Sequence, residues 1–104
     1  MTSEEFVKNV FKSKEDLLKS YFDSSEDSYV SSLIDSLDLN EGQNKILKEI
    51  IDGVLTDALY GLLLGIDGSA SIGNIQESFK LFDEKNNELT GGEIEGYAWE
   101  YFHN

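Results

Sequence analysis

The chain has 104 residues, with 21 Asp and Glu against 8 cations, all of them lysine, for a formal net charge of −13. Such a balance excludes a surface whose lysines and arginines displace counterions from nucleic acid. The absence of cysteine excludes a disulfide scaffold, a thiolate metal site and a cysteine nucleophile, while 39% hydrophobic and 12% aromatic residues supply enough apolar surface for one domain spanning 1–104.

The first 22 residues predict a helix. Thr2 and Glu5 have capping-box spacing, and Phe6, Val7, Val10, Phe11, Leu17, Leu18, Tyr21 and Phe22 recur at helical steps. A second start signal at Ser13 and Asp16 leaves open two shorter helices joined at Lys12-Ser13. Next, the cluster Asp23-Ser24-Ser25-Glu26-Asp27-Ser28 predicts a loop and a cap. Tyr29, Val30, Leu33, Ile34 and Leu37 then make a short amphipathic stripe.

Residues 40–65 predict the longest helix. Asn40 and Gln43 can cap its start, and Ile46/Leu47, Ile50/Ile51, Val54/Leu55, Ala58/Leu59 and Leu62/Leu63 repeat as pairs at four-residue steps. Gly53 and Gly61 share a face, which suggests close packing of another element, and Gly65 is the expected stop. The glycine-rich loop 65–73 follows. From Ile75 to Asp83 the period shortens, with Phe79 and Leu81 alternating against Ser78 and Lys80. Glu84-Lys85-Asn86-Asn87 is turn chemistry and Glu88-Leu89-Thr90 a return strand, with 69–72 available as a third. After Gly91-Gly92 a last helix carries Ile94, Tyr97, Ala98 and Tyr101 on one face, and Trp99 and Phe102 on another. The expected class is therefore α+β: about four helices with a small antiparallel β-hairpin between the long third helix and the C-terminal helix.

No site chemistry stands out. The run from Phe79 to Glu88 resembles the entry to a calcium-binding EF-hand. However, Lys85 replaces a ligand, Glu88 the glycine and Ile94 the closing carboxylate, so a hairpin is favoured. Glu100 and His103 have di-iron spacing in one copy only, where a helical site needs two. No serine lies in a Gly-x-Ser-x-Gly elbow, and loop 65–73 lacks the Walker lysine. The expectation is a non-enzyme without catalytic residue, metal or cofactor. No basic n-region precedes an apolar stretch, and the run 54–66 contains Asp57 and is shorter than the ~20 residues of a membrane span, so the expected setting is cytoplasmic.

The charge is uneven: residues 1–22 are neutral and 23–44 carry −6, leaving −3 on 45–79 and −4 on 80–104. Two acidic patches are therefore candidate contacts for a cationic protein: Asp23, Glu26, Asp27, Asp35 and Asp38, and then Asp83, Glu84, Glu88, Glu93, Glu95, Trp99 and Glu100. Each has an alternative, the first as a solvated face and Trp99 as part of the domain's own core.

The run from Leu59 to Gly73, with Phe79-Lys80-Leu81-Phe82-Asp83-Glu84 and Gly92-Glu93-Ile94-Glu95, resembles the small acidic immunity proteins of bacterial polymorphic and contact-dependent growth-inhibition toxin systems, over residues 54–102. The resemblance implies a cytoplasmic protein that binds and occludes one cognate basic toxin, typically a nuclease, and it transfers no individual residue. The alternative is an acidic regulatory or scaffold module without a toxin. Neither reading involves nucleic acid or a membrane as the partner.

Overall fold

A computed structural model describes residues 1–103. Its elements are α1 (Ser3–Tyr21), α2 (Tyr29–Ser36), α3 (Glu41–Ile66) and α4 (Glu93–Phe102). The first three begin where local side chains satisfy the orphan N–H groups of a helix start. At α1 the Thr2 hydroxyl accepts from the Glu5 N–H and the Glu5 carboxylate accepts from the Thr2 N–H. Asn40 and Gln43 make the same reciprocal pair at α3, and Ser28 and Ser31 make it at α2. With one cap and a continuous apolar stripe, α1 runs unbroken through Lys12-Ser13.

The end of α3 lies beyond the expected Gly65. Gly68, at φ +80°, takes the left-handed position, its N–H donating to the Gly65 carbonyl while the Ser69 N–H donates to Leu64 at 2.9 Å. That pair of bonds is a Schellman stop. Gly65 itself is buried, and a Cβ there would lie 2.4 Å from Ile72 Cγ1, so this glycine admits the loop side chain onto the helix.

Helix α4 has no cap of its own, since Gly92 offers no side chain. Asp67, just past α3, supplies one from 25 residues away. Its Oδ1 accepts from the N–H groups of Gly91 (3.1 Å) and Gly92 (2.9 Å), and Oδ2 accepts from Glu95 N–H at 3.1 Å. Gly91 and Gly92, at φ +131° and +107°, make the bend that aims both amides at one oxygen. The carboxylate also faces the positive end of the α4 dipole.

Val7 of α1, Leu63 of α3, and Ile94, Ala98 and Phe102 of α4 form the core, with Phe6, Phe11, Leu59, Tyr60 and Tyr101 around it. Phe102 is thus buried and not on an outer face with Trp99: α4 packs on both α1 and α3, so its buried arc is wide enough to include positions 94, 98 and 102. Lys14 Nζ lies 2.6 Å from Asp52 Oδ1, and Lys48 Nζ stands 6.0 Å from the Phe22 ring centre, which sets α1 antiparallel to α3. The core reaches only the second half of α3. Its first half lies against the end of α1 on one side, outside the core, and the radius of gyration is 16.2 Å where about 13 Å is usual for this length.

The expected hairpin is absent, and the α+β class is corrected to a helical fold. Among the described residues the only β pairing is two isolated bridges, Ile72 with Ile75 and Phe82 with Glu88. The turn lies where expected, with Asn86 at φ +66°, but strands do not grow from it. Residues 71–80 are all exposed, so no helix face receives Ile75 or Phe79, and a lone two-stranded ladder is marginal in water. Two backbone bonds cross the turn, from the Asp83 N–H to the Asn87 carbonyl and from the Leu89 N–H to the Leu81 carbonyl. Side chains take other amides: Thr90 Oγ1 accepts from the Leu81 N–H, and Asp83 Oδ1 accepts from the N–H groups of Lys85 and Asn87. Residues 69–72 make no third strand. Nor do Gly53 and Gly61 receive a neighbouring element, since a Cβ at either would meet nothing within 4 Å.

Replacing the cap tests this account of α4. Asp67→Ala should lower unfolding stability by about 1–3 kcal/mol, with Asp67→Asn losing less because one acceptor oxygen remains. Denaturant titration of both variants measures this, and equal stability of Asp67→Ala and the parent would contradict the role.

Candidate protein-binding surfaces

The second acidic patch is divided by the fold into a clamped loop and an open helix face. The loop part is held by Asp83. Its Oδ2 accepts from the Met1 amine at 2.7 Å and from Asn87 Nδ2 at 3.0 Å, and its Oδ1 from the Lys85 and Asn87 amides. These donors, the ammonium first, hold its carboxyl well below the usual carboxylate range. The side chain is only 10% exposed, so Asp83 works inside the loop and offers little to a partner. Glu88 accepts from the Thr90 hydroxyl at 3.1 Å, and Glu84 is exposed. Ser3 Oγ donates to the Leu89 carbonyl, which seats this loop on the start of α1.

On α4, Trp99 turns away from the core and is 59% exposed. Its ring stacks on the His103 imidazole, with centroids 4.7 Å apart and planes at 27°. Tyr60 of α3 meets that imidazole edge-on at 4.5 Å and lies 6.4 Å from Trp99. The indole is therefore both exposed and fixed in place, as an interface anchor requires. Glu95, one turn earlier, shares its flank and accepts from Ser69 Oγ at 2.9 Å. Glu93 and Glu100, two turns apart, lie together on the outer face, and both are exposed. On the side towards α1, the Tyr101 hydroxyl donates to Glu4 Oε2 at 2.9 Å, which raises the tyrosine pKa.

The first patch surrounds α2. Asp23 Oδ1 accepts from the Ser25 amide and hydroxyl, which lowers its pKa and ties it into the loop. Glu26, Asp27, Asp35 and Asp38 are exposed. Asp35 lines an open cleft of about 810 Å³ with Phe22, Ile34, Lys45 and Lys48. Helix α2 rests on α1 alone, so this patch is less firmly placed than α4.

Among the described residues there are two ion pairs, Met1–Asp83 and Lys14–Asp52, so most of the 21 acids have no cation beside them. Sequence reasoning did not separate the acids already engaged from the free ones. Asp52 lies beside a lysine that is only 4% exposed, and Asp67 is a helix cap. The legible signal for Asp67 was the uncapped Gly91-Gly92 ahead of α4. No helix among the described residues is long and apolar enough to cross a membrane.

The clamp at Asp83 gives a pH dependence with a definite sign. A carboxylate whose folded pKa is depressed adds stability above its unfolded pKa of about 3.9, and that contribution disappears as pH falls through the folded value. Asp83→Asn should therefore melt lower than the parent at pH 6, with the gap closing towards pH 2 in thermal scans. A gap that stays constant with pH would refute the clamp.

No protein-family model, curated protein or solved structure matches the chain.

Proposed function

We propose that this chain is a non-enzymatic binding protein that docks on a basic protein and blocks it, in the manner of the toxin-neutralising immunity proteins it resembles. The observation that carries the reading is Trp99: a large aromatic side chain, 59% exposed, held by Tyr60 and His103 on a helix whose outer carboxylates have no cationic partner. Aromatic anchors within a charged rim concentrate binding energy, and a net charge of −13 steers a cationic partner to the encounter. Occlusion needs no chemistry from the chain itself. Carboxylates set where a nuclease would hold phosphates would compete with them directly.

The test is co-expression with any basic protein encoded beside this gene, followed by co-purification and an activity assay of that protein. Trp99→Ala should weaken the complex by roughly 30-fold, as loss of a central anchor does. Glu93→Lys with Glu100→Lys should slow association about tenfold and flatten its dependence on salt. If the neighbouring protein binds without being inhibited, the regulatory or scaffold reading replaces this one. If it neither binds nor is inhibited, the toxin reading fails.

A further inference from the structure

Helix α3 carries the longest exposed apolar row among the described residues, running along most of its length. Ile46, Ile50, Val54 and Leu62 are between 47% and 60% exposed, and exposed Ala58 completes the series at four-residue steps. The row is ~24 Å long, and an i, i+4 row is the kind of ridge against which a second helix packs. Beside it runs a second row, Gly53, Asp57 and Gly61, at the same spacing. Each glycine weakens the helix by about 1 kcal/mol relative to Ala. Contacts within the chain do not account for them, because the space where a Cβ would stand is open at both. Between the two glycines Asp57 is exposed and takes part in neither ion pair.

We infer that this face docks an amphipathic helix of a partner that carries a Lys or Arg inside its apolar stripe. The partner's aliphatic side chains cover Ile46, Ile50, Val54 and Leu62. Its cation meets Asp57, and Gly53 and Gly61 let the two backbones approach closely. The charge identifies the occupant: a carboxylate set beside an apolar ridge, between two open glycines, selects a cation. A second copy of this chain would bring another net charge of −13 and another Asp57 to the same contact. Helix-in-groove recognition of this kind reads anchors at helical spacing. The inference concerns a different face from Trp99 and does not rest on the toxin reading.

The probe is a synthetic amphipathic Leu/Lys peptide of roughly 18 residues, long enough to span the row, titrated calorimetrically into the full chain. Its Leu/Glu counterpart and phosphatidylcholine vesicles serve as comparisons, and the protein alone is examined by sedimentation. The Leu/Lys peptide should saturate at one per chain. Val54→Asp makes the chain more acidic, so attraction by overall charge alone would tighten binding, whereas loss of the docking ridge should weaken it by about tenfold or more. Asp57→Asn should weaken it about threefold or more. Circular dichroism checks the fold, and Ile50→Ser, with about threefold or more weakening expected, replaces Val54→Asp if that variant unfolds. Undiminished binding by the folded ridge variants overturns the inference. So does equal affinity for the Leu/Glu peptide, a dimer of the parent that Val54→Asp dissolves, or vesicle binding that Val54→Asp abolishes.

Discussion

The carboxylate of Asp67 decides where α4 begins and which way it points. A helix of 10 residues with a glycine at its N-cap has little reason to form alone in water. Asp67 supplies three acceptor contacts and a negative charge at that end, and it stands at the Schellman stop of α3, where the backbone is already fixed. One side chain therefore joins the end of the longest helix to the start of the shortest core-forming one. The placement of Ile94, Ala98 and Phe102 follows, and with it the core and the outward turn of Trp99.

The limits of the sequence reading follow the range of the interactions involved. The starts of α1 and α3 are local, since Thr2 with Glu5 and Asn40 with Gln43 lie three residues apart, and both were legible. The turn at Asn86 was legible for the same reason. Flanking strands were expected from alternation, which signals a half-buried face. Whether any surface exists to bury Phe79 depends on the packing of α1, α3 and α4, which alternation does not record. The assignment of Phe102 to an outer face has the same origin: two helices press on α4, and the apolar arc cannot be centred until both are placed. In the paired repeat of α3, Ile46/Leu47 through Leu62/Leu63 is an apolar band wider than its neighbours in this chain cover, so half of it faces outward.

Charge was legible as quantity and not as availability. Among the acids named as candidate contacts, Asp83 holds a loop and Asp23 a turn, and Glu95 and Glu88 each accept from a hydroxyl. Glu93 and Glu100 remain as exposed charge beside Trp99. The neutral first helix is the counterpart of this division. Its Lys14 lies 5.1 Å from the Phe11 ring centre and beside Asp52, so a cation there serves packing, while the surplus of acids is left to the other helices.

The order of the core along the chain has a consequence for synthesis. Three of the five core residues belong to α4, the last helix in chain order, and Ser3 and Glu4 of α1 bond to Leu89 and Tyr101. A nascent chain emerging at about 5–20 residues per second exposes the apolar faces of α1 and α3 until α4 arrives. Trp99 is delivered by that same helix. Synthesis of α4 therefore supplies the aromatic anchor and three of the five core residues together, and a chain stopped short of α4 presents neither.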